Sequence, residues 1–514
     1  MKSFERFGVS GEQLRALVAE GLRGGGDWCD LYFEQTSYHD LLLRDGEVAS
    51  GGYHVDYGCG IRVLKGEKTG YAYAETTDFP SLFQAAKAAG AIASSSVLRS
   101  GQLPPETSGC AGPHRGASLA VPPLTSRGRL RFPEAVPADA KTVTKGWLPR
   151  NGAAMANLYP EAKPWEEAEI APLVSFLHRI EAGIRARESR TLKVVAILSF
   201  SVSDIVMYNS LDELTADHRP LGSVSVQIIF RQGERTENNT VSRSLRTGAE
   251  LVCDEVLEDL VSRAVEGIDA RFEARRPKGG RMSVVMGTGA SGILLHEAMG
   301  HAFEADFNRK GQSIFSDKMG KRVARPGINI LDDGTLPRSR GACNFDDEGV
   351  SGQKTYMVTD GVLTSYLHDR ISAGFYGVAP TGNGRRESFR YNPIPRMRAT
   401  YMESGPDGTK EDLIASVKKG IYVDQFANGQ VKIGEGDFTF FVKSGFLIEG
   451  GRLTMPVKDI NIIGNGPQAL SDIVAVAGDL KVDEGTWTCG KEQSVAVSCG
   501  IPSVLISHLT VGGE

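Results

Sequence analysis

The stretch MSVVMGTGASGILLHEAMGHAFEADFN, residues 282–308, decides the reading of this chain. Met282 to Met286 is a compact apolar run of strand type. Gly287 to Ser291 forms a turn, and the residues after it follow a helix pattern that carries Leu294, Leu295 and His296. The helix ends in His296-Glu297-Ala298-Met299-Gly300-His301, an HExxxH pattern one residue longer than the HExxH zinc motif. Imidazoles bind zinc, and a carboxylate beside them can take a proton from water at the metal. The spacing raises a geometric demand. In a regular α-helix, positions i and i+5 point about 140° apart, so both rings cannot face one ion. An extra-residue π-bulge removes the conflict, and Gly300 makes that distortion cheaper. Two histidines leave a catalytic zinc one protein ligand short. The residues alone leave the third donor open among Glu304, Asp306, Cys489, Cys499 and His508. A lone cysteine such as Cys489 reads first as a small buried hydrophobe.

Upstream of this stretch, the basic Gly/Pro segment Arg271 to Gly280 marks a boundary. Before it, Ser10 and Gln13 form a capping box for a helix with Leu14, Leu17, Val18 and Leu22 on one face. Strand-like runs follow at Asp30–Thr36, Asp40–Arg44 and Glu47–Val55, with a hairpin turn at Asp45-Gly46. A second hairpin is expected around Lys65-Gly66. A helix is expected from Asp78 to Ala93, with Phe79, Leu82, Phe83 and Ala86 inward. Another is expected near Pro172, with Val174, Leu177 and Ile184 buried. Val224, Val226, Ile228 and Phe230 alternate as in a half-buried strand, and a helix at 248–267 closes this half. Ten of the 23 prolines fall between 100 and 165, a Pro-rich surface excursion.

Downstream of the HExxxH segment, short strands and turns dominate. Asp333-Gly334 and Asp360-Gly361 are hairpin signals, and Thr409 to Lys419 reads as a capped helix. The GxG in 462–467 lacks a following helix pattern with a third glycine, so no dinucleotide fold is assigned. The expected fold class is therefore α+β. Residues 1–275 form an N-terminal α/β domain of hairpins and helices, and 276–514 a β-rich C-terminal domain carrying the HExxxH helix.

The chain has 514 residues, with 58 Lys+Arg against 63 Asp+Glu. This mildly acidic, mixed charge argues against nucleic acid or an anionic membrane as the main partner. The segment MKSFERFGVSGEQLRALV lacks the apolar run of a signal peptide. No run of about 18 uncharged apolar residues suggests a membrane helix. Seven scattered cysteines without a CxxC pair fit a reducing cytoplasm better than a disulfide framework.

Several motifs together resemble the TldD/PmbA family, in its zinc-bearing TldD-like branch. They are LLHEAMGHAFEADFNRKGQSIFSDKMG (294–320), LDDGT (331–335), DDEGVSGQ (346–353), PTGNGRRES (380–388), IPRM (394–397), CGK (489–491) and LTVGG (509–513). DLYFEQTSYH (30–39) and GEKTGYAYAE (66–75) extend the resemblance to the N-terminal half, and the Pro-rich stretch departs from it. The resemblance implies a metallopeptidase acting on unstructured peptides, with one Zn2+ per subunit held by His296, His301 and Cys489 and with Glu297 as general base. It also implies a dimer, with itself or with a PmbA-like partner. Arg385 and Arg386 are candidates for a peptide carboxylate or carbonyl, or for salt bridges to Asp346, Asp347 or Glu348. Glu304 and Asp306 are expected to orient the histidines rather than bind metal. Two rival functions remain at this point: a non-catalytic peptide-binding subunit and a zinc amidohydrolase of small molecules.

Overall fold

The computed structural model describes residues 6–95, 157–432 and 434–513. Its first half is one antiparallel six-stranded sheet in the order β3-β2-β1-β4-β5-β6. The strands are β1 (Trp28–Arg44), β2 (Glu47–Lys65), β3 (Lys68–Ala74), β4 (Thr191–Asn209), β5 (Leu214–Gln232) and β6 (Arg235–Leu245). The Asp45-Gly46 turn has positive φ at both residues, 47° and 83°, as a tight hairpin requires. The three runs expected between 30 and 55 are thus two long strands. The polar stretch Ser37–Asp40 stays extended because it is paired on both sides, to β2 and to β4.

Helices cover one face of this sheet in two clusters. α1 (Gly11–Leu22) starts at the expected Ser10–Gln13 capping box and packs with α2 (Phe79–Ser94) over Leu31, Phe33, Ile61 and Val63. α3 (Ile170–Arg187) and α4 (Asp254–Val265) cover Val194, Ala196, Val226 and Ile228. In α3 the buried stripe is Leu173, Phe176, Leu177, Ile180 and Ile184. Val174 is only half-buried, because the stripe starts one residue earlier. The helix expected at 248–267 is broken. A 3-10 turn, Ala249–Leu251, precedes α4, and Gly267 at φ 67° starts the separate α5 (Ile268–Glu273). Of the Pro-rich stretch, residues 100–156 lie outside the described residues. Its described end is anchored rather than superficial. Tyr159 donates to Asp217 at 2.6 Å, Trp165 donates to the Thr247 carbonyl at 2.8 Å, and both rings are buried.

The opposite face of the sheet meets the second half of the chain. There Tyr32, Ile205 and Met207 pack against Phe389. Arg62, wholly buried, lies between Asp30 of the first half and Glu348 of the second, at 2.7 and 2.6 Å.

The second half is built on strands whose pairings close into a ring. Lys419–Lys432 pairs with Gly280–Met286, which pairs with Val504–Gly512, then Ile460–Asn465, then Asp437–Glu449, which pairs back to Lys419–Lys432. Val284, Met286, Ile421, Val423, Phe438, Phe440, Ile462 and Ile506 belong to its core, and Leu294, Leu295, Ala298 and Met299 of the HExxxH segment pack into it. A second sheet orders Val362–Leu363, Lys354–Thr359, Ile330–Asp333, Ala399–Met402, Ser498–Ile501 and Lys481–Asp483.

Asp360-Gly361 is a hairpin turn as expected. Asp333-Gly334 is not, since the partners of Ile330–Asp333 are the distant Lys354–Thr359 and Ala399–Met402. Asp333 instead accepts the Thr335 amide at 2.7 Å, a side-chain-closed turn. Thr409 does cap a helix, but only Lys410–Ala415, because Gly420–Val423 is drawn into parallel pairing with Ser283–Met286. After Ile462 a short helix, Gly466–Ser471, does follow. No helix among the described residues is long and apolar enough to cross a membrane.

Candidate metal centre

Strand Gly280–Met286 delivers the chain to the site. Thr288 pins the turn after it by donating to the carbonyls of Asp479 and Ile501, at 2.7 and 2.8 Å. Gly292 lies against the backbone of Gly500, where a side chain would collide. A short helix, Ile293–Leu295, then opens into a π-turn over His296–Gly300, closed by the His301 amide donating to the His296 carbonyl. This is the i to i+5 bond that the motif spacing demands, and it brings the two imidazoles onto one side. Their ring centroids are 5.2 Å apart. Gly300 has ordinary helical angles, φ −57° and ψ −50°, so its use lies elsewhere: its α-carbon faces Met397 so closely that an added Cβ would overlap the sulfur.

The third member arrives from far along the chain. Cys489 sits in a two-stranded hairpin, Thr488–Lys491 with Gln493–Ala496, and its Sγ lies 3.3 Å from His301 Nε2. Donor atoms of His296, His301 and Cys489 all lie within 4.8 Å of one another. All three side chains are buried, at 2, 4 and 2% exposure. Burial alone would push the Cys489 thiol up, but the two imidazoles beside it bring it down to about 4. A thiol held down in this way is a candidate metal ligand. His296 Nδ1 is buried without a hydrogen-bond partner. Two imidazoles, a thiolate and an unsatisfied buried ring nitrogen fit a zinc ion. Zinc bonds of about 2.1 Å to nitrogen and 2.3 Å to sulfur place neighbouring tetrahedral donors about 3.6 Å apart.

The surroundings fix the orientation of the donor side chains. Glu304 is wholly buried and lies 3.0 Å from His301 Nδ1, which favours a proton on Nδ1 and turns Nε2 toward Cys489. Burial opposes the Glu304 charge, yet Lys491, His301 and Arg396 hold its carboxyl down at about 2. His301 moves the other way. Burial lowers it, but Glu304 and Cys489 raise it to about 10. Lys491 joins Glu304 to Asp306, at 2.9 and 2.8 Å, and stands over the Phe307 ring. Arg396, wholly buried, donates to the carbonyls of Cys489 and Gln493 at 2.7 and 2.9 Å and so grips the hairpin that carries the sulfur. Sequence reasoning gave Lys491 and Arg396 no role, although both lie in stretches that carried the resemblance.

Glu297 is half-buried beside His296 and has neither hydrogen bond nor ion pair among the described residues. Asp306 and Glu304 lie in the supporting network and not in the donor cluster. Cys499 is buried in the second sheet, paired with Thr400 and Asp483, and His508 lies near Asp472. Neither joins the cluster. Arg385 and Arg386 are also interior, at 5% exposure each. Arg385 donates to the carbonyls of Met397 and Ala496, bracing the segment behind Gly300. Arg386 lies 4.1 Å over the Tyr32 ring and donates to the Asp347 carbonyl at 2.9 Å. Arg386 thus reaches across to Tyr32 and Tyr71 of the first half, whereas both of these partners of Arg385 lie in the second half.

Three family descriptions match this chain: PmbA/TldA metallopeptidase domain 1 over 29–93, the central domain over 163–268 and the C-terminal domain over 279–513. A metalloprotease TldD homolog of Haemophilus influenzae is 35% identical, covering 95% of this chain and 93% of its own length. A metalloprotease of Methanothermobacter thermautotrophicus is 30% identical over 95% of this chain and 96% of its own. The crystal structure of TldE from Thermococcus kodakarensis superimposes with a TM-score of 0.69 at 18% identity, covering 98% of this chain and all of that one, a likeness of fold. With matches spread along nearly the whole sequence, the chain belongs to the TldD/PmbA family of metallopeptidases.

Proposed function

We propose that this chain is a zinc-dependent peptidase that hydrolyses peptide bonds in unstructured polypeptide, with His296, His301 and Cys489 holding the metal and Glu297 as general base. The observation that carries this reading is the buried donor cluster within 4.8 Å, with an unpaired carboxylate on the adjoining residue. A purely structural metal needs no such carboxylate. Zinc at these donors would supply Lewis acidity, easing loss of a proton from water and polarising the scissile carbonyl. Glu297 takes that proton and hands it to the departing amine, so its oxygens alternate between base and acid. Glu304 keeps His301 in the tautomer that leaves Nε2 free for the metal, and Lys491 keeps Glu304 ionised.

Access to the cluster, rather than a side-chain pocket, selects extended substrate, and strand edges near it supply backbone hydrogen bonds. The working unit is a dimer, either of this chain or with a PmbA- or TldE-like partner, acting in the cytoplasm. The test is Glu297→Gln. The variant is expected to retain one zinc per chain by metal analysis while losing cleavage of a denatured protein by several orders of magnitude. Normal cleavage by that variant would refute the role of Glu297, and equal cleavage of a folded protein and its denatured form would refute the substrate class.

A further inference from the structure

The seam between the two halves holds a cavity of about 290 Å³, apart from the donor cluster. The first half lines it with Glu237 of β6, Arg263 of α4, Arg271 of α5 and Glu266 between those two helices. The second half adds Asp424, Lys443 and Lys458. Most of these charges are accounted for. Lys458 pairs with Glu237, and Arg263 pairs with Asp259 at 2.7 Å. Asp424 accepts from the Ser444 and Tyr422 hydroxyls, at 2.9 and 3.4 Å. Glu266 is exposed.

Two cations are left over. Among the described residues Arg271 makes one side-chain hydrogen bond, to Asn239 at 3.3 Å. The Lys443 amine makes one, to the Thr240 carbonyl at 3.0 Å, and neither has a carboxylate in ion-pair reach. Both are half-buried, on facing elements of different halves. Burial together with Arg271 and Arg263 pushes the Lys443 amine down to about 8, against the pull of Asp424. Burial likewise lowers Arg271, opposed by Asp424 and Glu237.

We propose that Arg271 and Lys443 form an oxyanion-binding site that takes a carboxylate or phosphoryl group of a small ligand into this seam. Partly desolvated cations with carboxylates nearby but none in ion-pair contact gain from a charge-assisted hydrogen bond to a bound oxyanion. At about 30 Å³ per water, the cavity holds several waters and therefore an oxyanion with a short substituent. Asp424 and Glu266 keep the net positive charge of the lining small, which favours a single oxyanion group over a polyanion. A bound group would tie α5 to strand Asp437–Glu449 and so clamp the halves together.

The experiment is calorimetric titration of the full chain with inorganic phosphate and, separately, with succinate. It is run at pH 8 in two buffers of different ionisation enthalpy. Saturable one-site binding is expected, accompanied by proton uptake, because a neighbouring anion favours the charged Lys443. Arg271→Gln and Lys443→Gln should each bind about tenfold more weakly. Lys443→Arg should keep the affinity and lose the proton uptake, which separates a local role from a damaged fold. Tighter phosphate assigns a phosphoryl ligand and tighter succinate a carboxylate, and either result supports the site. Absence of saturable binding for both probes would overturn the proposal. So would affinities unchanged in both Gln variants, or proton uptake that persists in Lys443→Arg.

Discussion

Replacing Gly300 by alanine tests the geometry of the donor cluster directly. The new Cβ would overlap Met397 Sδ and stand 3.0 Å from its Cε and 3.3 Å from the Leu295 carbonyl oxygen. Comfortable carbon contacts begin at about 3.5 Å, so Met397 must move. Its thioether is the flexible end of the side chain, but the residue is wholly buried, its amide donates to Glu304 at 3.3 Å, and its carbonyl receives Arg385, so a shift presses on packed neighbours. Overpacking of this kind costs about 1–3 kcal/mol, or about 5- to 150-fold in a local equilibrium. The displacement is transmitted to Glu304 and thence to His301. Disturbing such a supporting contact lowers metal affinity about 10- to 100-fold. The assay is competition for zinc with a chromophoric chelator, alongside denaturant unfolding of the loaded protein. Gly300→Ala should lose affinity, and Gly300→Ala with Met397→Ala should recover much of it, a coupling that a double-mutant cycle measures. Unchanged zinc affinity in the single variant would refute the reasoning. Equal losses in the single and the double variant would show that the damage does not run through Met397.

Three other outcomes are expected. Arg62→Met, which removes the guanidinium between the buried carboxylates of Asp30 and Glu348, should destabilise the chain by about 3–5 kcal/mol in denaturant titration, and Glu348→Gln on that background should return part of the loss. Glu34 is pushed up to about 7 by burial, so the folded state keeps its proton and the unfolded state does not. Its contribution is full below about pH 4.5 and is lost as pH rises to about 7, by about 3 kcal/mol, so Glu34→Gln should flatten the stability profile in that window. Stripping the metal with a chelator should speed amide exchange in the hairpin Thr488–Ala496 more than in β4 and β5, because only the hairpin is tethered through the cluster; uniform change would count against that tether.

The local grammar of the sequence carries far in this protein. The Ser10 and Thr409 caps, the Asp45-Gly46 and Asp360-Gly361 turns and the alternation at Val224–Phe230 all set structure where they stand. The π-turn at His296–Gly300 was legible too, since i to i+5 spacing allows few other ways to bring two imidazoles together. What sequence could not show is what depends on distant pairing. Ser37–Asp40 stays in a strand because β2 and β4 flank it, and the helix after Thr409 stops where Gly420 meets Ser283. Cys489 is one of five open candidates for the third donor until the family resemblance singles it out, because its own segment does not set it apart from a buried hydrophobe. Lys491 and Arg396 gain meaning only when 304 and 489 stand side by side, and the interior setting of Arg385 and Arg386 depends on contacts with Tyr32, Met397 and Ala496.

The closed ring of strands also sets a schedule for synthesis. Strand Val504–Gly512 lies between Gly280–Met286 and Ile460–Asn465, so the ring cannot shut until the ribosome has delivered it. The first sheet, whose strands end at Leu245, can settle while later residues are still being made. The imidazoles at 296 and 301, by contrast, emerge nearly 190 residues before the sulfur that joins them. On the proposed reading, a growing chain would therefore carry Glu297 and two histidines without the completed donor cluster, and it would be spared a working hydrolytic site while it and its neighbours on the polysome are still unfolded and most easily cut.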